Sequence, residues 1–442
     1  MHRVAVIGTG YVGLVAGACL AELGNDVACI DVDAAKIATL QLGRSPFFEP
    51  GLDELAQRNR QAGRLAFTTD LPAGILERDI VVIAVGTPTT DEGHLDLRHV
   101  RQAALDIAAA LDGPKIVVNK STVPVQTADL VHSLIEEAKA ADHAVTVVSN
   151  PEFMREGSAV ADFMHPDRIV IGVDHPGAEA VLRDLYAPFG APIIVTDPRT
   201  AEMIKLTSNA FLAAKISFIN EIAAVCDLVG ADVRDVVTGV GADARIGAAC
   251  MQPGLGFGGS CLPKDVLALH RIAARTGAST RLLDAALAVN AAQVEHVISR
   301  LATLLDGLDH KTIGVLGLAF KPGTDDVRES PALVLARGLA GRGARVQAHD
   351  PVAVANAAAE LGDAVAFVDG PYDVATGADA LVLATAWNEY TELDLGDLRR
   401  RMRGDVLFDA RDLYDPRKVS AAGFTYAGIG RRAPATARAV AP

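Results

Sequence analysis

The string Gly8-Thr9-Gly10-Tyr11-Val12-Gly13, set between an apolar run at 4–8 and a helical pattern, constrains this chain more than any other feature. A strand that turns at once into a helix needs glycine at the turn. A second glycine lets a ligand approach the backbone, and a third lets helix and strand pack closely. The helix end formed this way presents free N–H groups and a partial positive charge, which suits a pyrophosphate without any lysine. Asp31 follows 23 residues after Gly8 at the end of a second apolar run. A carboxylate there accepts hydrogen bonds from ribose hydroxyls and repels a 2′-phosphate. Gly8, Gly10, Gly13 and Asp31 therefore predict a dinucleotide site that prefers NAD to NADP.

Short apolar runs recur at 4–8, 26–33, 79–88, 115–122 and 144–153, separated by amphipathic stretches, in the βαβ rhythm of a parallel sheet. A pattern without internal Gly or Pro, from about residue 200 to 229, ends at Gly230 and predicts one long helix. Runs at 311–321, 344–351 and 379–387 then repeat the strand order of the first part. The expected fold class is α/β, with two doubly wound Rossmann-like domains joined by a long central helix. The expected division is 1–197 for the dinucleotide domain, 198–305 for a central helical dimerisation domain, 306–430 for the second Rossmann-like domain and 431–442 for a loose tail. The second copy keeps Gly314 and Gly317 but has Phe320 where a third glycine would fall, so it is expected to bind something other than a dinucleotide.

A formal net charge of −14 without any Lys/Arg block argues against nucleic acid and anionic membrane surfaces. No run approaches the roughly 18 apolar residues of a membrane span, and the start MHRVAVIG lacks a signal-peptide core. A cytoplasmic protein is expected. The five cysteines are odd in number and lack metal-type spacing, so neither disulfides nor a metal site is expected. An anionic substrate would have to find a few local cations against this acidic background.

The segment from Gly254 to Asp265 holds four glycines before Cys261, with Lys264 nearby and a helical pattern following. A thiol at a helix start beside a lysine is favoured as thiolate. Cys19, Cys29, Cys226 and Cys250 read as packing residues, whereas Cys261 reads as a nucleophile. Moving one hydride from an alcohol requires no nucleophile. A thiol implies a further stage, in which it adds to an aldehyde as a thiohemiacetal, is oxidised to a thioester and is released by water as a carboxylic acid. The expected stoichiometry is two NAD per product. Lys205 and Asn209 lie four residues apart and share a helix face within otherwise apolar sequence; they point either to solvent or into a cleft, where they would stabilise an alkoxide. Thr122 and Glu152 end apolar strands, where doubly wound folds place ligands, with capping of the next helix as the alternative.

These strings together resemble the UDP-glucose 6-dehydrogenase family within the nucleotide-sugar dehydrogenases: GTGYVG, VGTP, KSTVP, NPEFMREGSAVADF, EMIKLTSNAF, RIG, GFGGSCLPKD, GLAFKPGTDDVRESP and FDARDLYDP, in that order. The resemblance implies oxidation of UDP-glucose at C6 to UDP-glucuronate, with Cys261 as nucleophile and Lys205 and Asn209 stabilising the oxyanion. Asp265 would work with water and Lys205 in proton transfer, Glu152 in thioester hydrolysis, and Thr122 in positioning the water. It implies NAD contacts from Gly8, Gly10, Tyr11, Val12, Gly13, Asp31, Lys36, Thr87, Thr122, Glu156, Lys264 and Arg328. Substrate contacts would come from Glu152, Phe153, Met154, Arg155, Glu156, Lys205 and Asn209, from Cys250, Met251, Gln252, Pro253, Gly254 and Gly258, and from Phe320, Lys321 and Arg411. Arg245 would reach the substrate of a neighbouring subunit in a homodimer built on the long helix. Lys321, Arg245 and Arg411 would be the local cations that the acidic background calls for. The same chemistry on GDP-mannose or UDP-N-acetylmannosamine is the alternative. A two-electron hydroxyacid dehydrogenase would leave Cys261 without a role, and an inactive NAD-binding sensor would leave the whole set of Lys205, Asn209, Cys261 and Asp265 unexplained.

Overall fold

The computed structural model describes residues 1–90 and 92–431, so almost all of the expected C-terminal tail lies outside the described residues. Eight strands form the first sheet: β1 Arg3–Ile7, β2 Asp26–Ile30, β3 Leu65–Thr68, β4 Ile80–Ile83, β5 Lys115–Asn119, β6 Val145–Ser149, β7 Ile169–Gly172 and β8 Ile193–Thr196. Their order is β3-β2-β1-β4-β5-β6-β7-β8, parallel throughout except where β7 meets β6 through the single antiparallel pair Ser149 and Gly172. The central strands are β-branched and apolar on both faces, because helices cover both sides: Val4–Ile7 and Ile80–Ile83 are buried at every residue. The first crossover helix, Tyr11–Glu22, is buried at every residue from Gly13 to Ala21, which suits a sequence apolar all round.

A second, six-stranded sheet contains β9 Thr312–Leu316, β10 Arg345–His349, β11 Val365–Phe367, β12 Ala380–Leu383, β13 Val406–Asp409 and β14 Thr425–Gly428, in the order β11-β10-β9-β12-β13-β14 and parallel throughout. This is the 3-2-1-4-5-6 order of the first six strands, as the repeated pattern predicts. The correspondence extends to single bonds. Gly8 N donates to Ile30 O at 2.7 Å and Gly317 N to His349 O at 2.8 Å. Thr9 N donates to Asp31 Oδ2 at 2.8 Å and Leu318 N to Asp350 Oδ2 at 2.7 Å. Gly317 is thus the counterpart of Gly8, and Gly314 sits within β9, where its missing side chain makes room for Val374 and Leu381.

The long helix runs Pro198–Val229, 32 residues and so about 48 Å. It stops at Gly230, whose φ of +72° only glycine adopts without strain. The chain divides into two compact units: Met1–Asn209 with Leu267–Ala278, and Ala210–Val266 with the chain from Ser279 onward. The first is built on the eight-stranded sheet and the second on the six-stranded one. The boundary falls inside two helices, Pro198–Val229 and Leu262–Thr276. Among the described residues no helix is long and apolar enough to cross a membrane.

Candidate active site

In the first unit the turn after β1 is closed by packing. A Cβ at Gly13 would overlap the Gly8 carbonyl, whereas one at Gly10 would meet nothing within 4 Å. Gly10 caps the helix Tyr11–Glu22 without any side chain, so the helix end with Tyr11, Val12 and Gly13 is left for an incoming anion. Asp31 accepts from Thr9 N and Thr9 Oγ1, both at 2.8 Å, and pairs with Lys36 Nζ at 3.0 Å. Burial pushes its carboxyl up, but the Thr9 and Asp33 N–H groups and the Lys36 ammonium hold it below the usual carboxylate range. This is a fixed, ionised acid at the end of β2. The turn, the open helix end and this acid fit a dinucleotide. Farther along the carboxyl edge, Thr87 Oγ1 donates to Thr122 O at 2.8 Å and Ser121 Oγ to Val85 O at 2.8 Å, stitching the loops after β4 and β5 together.

Glu152 and Lys205 form the electrostatic centre of this unit. Lys205 Nζ lies 2.9 Å from Glu152 Oε1, and both side chains are only 5% exposed. Met154 N donates to the other carboxylate oxygen at 2.6 Å. Burial raises the Glu152 pKa, yet the charge and hydrogen bond of Lys205 bring it below the ordinary range. Lys205 also stands 5.4 Å from the centre of the Phe153 ring, whose position is shared with the Arg168 guanidinium at 3.6 Å. Asn209, one turn beyond Lys205, is likewise buried. The solvent-facing alternative for this pair is therefore excluded. Capping is also excluded for Glu152, whose bonds are to Lys205 and Met154. Glu156 is buried, while Arg155 is largely exposed and held by Asp162 through bonds of 2.9 and 2.6 Å.

In the second unit the glycine loop is sewn down by amides. Gly254 N donates to Asn220 Oδ1 at 2.8 Å, Gln293 Nε2 donates to Gly254 O at 2.7 Å, and Asn290 bonds Phe257 through N at 2.7 Å and O at 3.0 Å. A Cβ at Gly258 would overlap the Glu329 carbonyl, and one at Gly259 would strike the Phe320 ring. Gly259 N donates to Arg328 O at 3.0 Å. The loop delivers Cys261, partly exposed, to the head of the helix Leu262–Thr276, where Asp265 N closes the first turn on Cys261 O at 2.9 Å. Asp265 is fully buried and receives Lys264 Nζ at 2.6 Å. The other four cysteines divide: Cys19, Cys29 and Cys226 are buried, but Cys250 is exposed with a φ of +61°, so it is not a packing residue.

Arg411, after β13, is held by Ala384 O at 2.6 Å, and its Nη2 is buried without a hydrogen-bond partner. Burial lowers its pKa to about 10. An unpartnered guanidinium nitrogen beside Gly254 is a donor set aside for an anionic or carbonyl ligand. Lys321 follows Phe320 and stands 5.5 Å from its ring. Arg245 is 88% exposed and paired only within its own loop, to Asp243. Arg328 is similarly exposed and paired with Asp326.

Three groups had no prominence in the sequence. Asn290 and Gln293 share a face of the helix Arg281–Leu305, a signal that two amides in an apolar helix could have given. Lys120, buried at the end of β5, interrupts an apolar run and was equally readable. Glu49 gave no signal: it bonds Tyr11 Oη, Gly157 N at 2.6 Å and Ala159 N at 2.7 Å, tying the dinucleotide turn to the loop after Glu156.

The first sheet and its turn define a dinucleotide-dependent dehydrogenase domain. Family models agree: the UDP-glucose/GDP-mannose dehydrogenase family's NAD binding domain matches residues 2–190, its central domain 199–292 and its UDP binding domain 314–416. The chain belongs to the UDP-glucose/GDP-mannose dehydrogenase family. It is 47% identical over 433 residues to UDP-glucose 6-dehydrogenase TuaD of Bacillus subtilis, covering 98% of this chain and 94% of that one. It is also 47% identical to the UDP-glucose 6-dehydrogenase of Pseudomonas aeruginosa, covering 97% of each. Among solved structures, a UDP-glucose dehydrogenase from Pyrobaculum islandicum superposes with a TM-score of 0.91 at 41% identity, covering 98% of each chain. A UDP-D-ManNAc dehydrogenase from Pyrococcus horikoshii gives 0.86 at 28% identity, covering 97% of this chain and 99% of that one.

Proposed function

We propose that this protein is a UDP-glucose 6-dehydrogenase that converts the C6 alcohol to a carboxylate through a thioester on Cys261. The observation that carries the mechanism is the placing of Cys261. It is a partly exposed thiol at the head of a helix, at the end of a loop held by three amides and by glycines that admit no side chain. A dehydrogenase that stops at the aldehyde has no use for it. The choice of sugar rests on the relatives, 47% identical where they are named for UDP-glucose and 28% where the structure is named for UDP-D-ManNAc.

NAD, when bound, would supply the hydride acceptor for each of the two oxidations. Asp31 with Lys36 would hold the adenosine ribose and the helix end after Gly10 the pyrophosphate, with Thr87, Glu156, Lys264 and Arg328 as further contacts. In the first oxidation Lys205 and Asp265, with a water, take up the proton leaving the C6 hydroxyl. Cys261 Sγ then adds to the aldehyde carbon, and Lys205 Nζ and the Asn209 amide donate to the oxyanion. After oxidation of the thiohemiacetal, a water positioned by Thr122 gives its proton to Glu152 and displaces the thiol. The overall balance is alcohol, two NAD⁺ and water in, carboxylate, two NADH and three protons out. Phe153, Met154, Arg155, the loop from Cys250 to Gly254, Gly258, Phe320, Lys321 and Arg411 would bind the nucleotide sugar.

The protein also works as a homodimer in this reading, with Arg245 offered to the neighbouring copy. The support is a seam on the long helix, where Phe211, Phe218 and Val225, seven residues apart, are 66%, 55% and 49% exposed and Leu228 is 87% exposed. Seven-residue spacing puts them on one side of the helix, the pattern of a helix that pairs with another. The free cysteines accord with a reducing cytoplasm.

The test is NADH formed per limiting UDP-glucose, for native protein and Cys261→Ser. A ratio of two that collapses in the variant supports the thioester route. A native ratio of one refutes it, and activity only with GDP-mannose or UDP-N-acetylmannosamine reassigns the sugar while keeping the chemistry.

A further inference from the structure

At the electrostatic centre of the first unit the mechanism above uses one lysine, Lys205, yet a second stands there. Lys120 lies at the end of β5, is only 5% exposed, and has a single hydrogen-bond acceptor, Asn150 Oδ1 at 3.1 Å. Its ammonium is closed in by two aromatic faces, 5.5 Å from the Phe163 ring centre and 5.8 Å from that of Tyr186. Asn150 is itself fixed, donating to Val170 O at 2.7 Å and accepting from Tyr186 Oη at 2.5 Å. The Lys120 ammonium is thus enclosed by side chains of its own unit. A cation buried against one amide and two rings is a costly space-filler, since an apolar side chain would pack there without desolvating a charge. What distinguishes the position is its neighbours: Lys120 interacts electrostatically with both Glu152 and Lys205.

We propose that Lys120 is a positioning residue acting through Glu152. Its buried charge holds Glu152 as a carboxylate, so that Lys205 can release a proton without handing it to Glu152 and a base remains for thioester hydrolysis. The proposal rests on the roles assigned above to Glu152 and Lys205. Charged and titratable groups around Glu152 in this unit include Lys205 from the long helix and Lys120 after β5, with Tyr186 from the helix Pro176–Tyr186 against Lys120 and Arg168 across the Phe153 ring. Lys120 adds a second ammonium to the one that Lys205 sets against Glu152, and a nearby opposite charge favours the ionised acid. Burial brings Lys120 itself down to about 8, against the pull of Glu152, so it is charged through neutral pH.

Lys120→Gln keeps a donor for Asn150 and removes the charge, whereas Lys120→Met removes both. Both variants are compared with native protein for melting temperature, NAD binding, the pH profile of kcat and the intact mass of acid-quenched enzyme at steady state. The expected result is an acid limb of kcat moved up by about one pH unit in both variants, at the low end of what a nearby opposite charge does to a carboxylate. Below that limb a Cys261 acyl adduct accumulates, because hydrolysis has become the slow step. The proposal is overturned if kcat falls equally at all pH values, if only Lys120→Met is affected, or if neither variant folds. The NADH ratio of native protein tests the underlying reading separately: if it is two and the limb does not move, the role of Lys120 fails while the thioester route stands.

Discussion

Replacing Phe218 with Asp tests whether the exposed seam of the long helix is the dimer interface. Phe218 is 55% exposed in the single chain, and a phenylalanine side chain has about 200 Å² to bury. Pairing would therefore cover about 110 Å² per copy, or about 3 kcal/mol at roughly 25 cal/mol per Å². A two-fold axis makes each loss occur twice, and each copy gains a carboxylate to desolvate. The dimer should weaken by at least about 5 kcal/mol, which is about three to four powers of ten in Kd. Sedimentation over a concentration series measures this directly. Leu42→Asp is the control, since Leu42 is 77% exposed and belongs to the other unit. Far-ultraviolet circular dichroism should be unchanged in both, because neither side chain contributes much to its own fold. If Phe218→Asp remains dimeric at every concentration where native protein does, or if native protein is monomeric, the seam is not the interface.

Asp31→Asn leaves the Lys36 ammonium facing the ribose site without its partner, so the ratio of kcat/KM for NADP over NAD should rise by about 10- to 100-fold; unchanged rejection of NADP would mean that Asp31 does not set the preference. Arg411→Lys removes the planar fork whose Nη2 is unpartnered, and the KM for the nucleotide sugar should rise by about 10- to 100-fold while that for NAD stays within error. A change in NAD alone would move Arg411 out of the sugar site. Glu202 caps a helix start through Gln126 N and Ala128 N, yet burial pushes its carboxyl up from 4.5 to about 7. A raised acid holds its proton more tightly when folded, so its stabilising contribution is complete below about pH 4.5 and is lost as pH rises through about 7. Glu202→Gln should therefore melt progressively higher relative to native protein from pH 5 to pH 8; a difference in melting temperature that does not change with pH refutes that shift.

The sheets were legible where a strand sits in a long apolar run. The runs at 4–8, 26–33, 79–88, 115–122 and 144–153 all contain observed strands, and the long helix was placed within two residues at its start and to the residue at its end, because Gly230 stops it. β3, β7 and β8 were not legible. Each has four residues, too few to separate from a helix turn by period alone; β4 and β12 are as short but sit in the longer runs at 79–88 and 379–387. The same limit applies to β11, with three residues, at the edge of the second sheet. At the site, residues marked by type could be found from type and spacing: Cys261 by its glycines, Lys205 and Asn209 by polarity in an apolar helix. Glu49 could not, because its partners Tyr11, Gly157 and Ala159 lie 38, 108 and 110 residues away.

The two sheets pose one question of physics twice and answer it differently. Both carry a glycine turn after the first strand and an aspartate after the second, and in both the aspartate accepts from the backbone of the turn. In the first copy the next glycine, Gly10, is open to approach, and the aspartate's remaining cation is Lys36 at the surface. In the second copy the residue after Leu318 is Ala319, whose N–H also donates to Asp350 at 3.0 Å and whose carbonyl accepts from Thr385. Trp387 Nε1 adds another bond to Asp350 Oδ2 at 3.0 Å, and Val352 N and Ala353 N occupy the other oxygen. Asp350 is therefore saturated by its own protein, buried, and no acceptor for a ribose. The turn survives there as a clamp between strands, and one buried donor without a partner, the Arg411 Nη2 after β13, is on a different loop. One supersecondary unit thus leaves its turn open where the next residue is an unhindered glycine, and becomes an internal clamp where its aspartate takes four backbone N–H groups and an indole from its own protein.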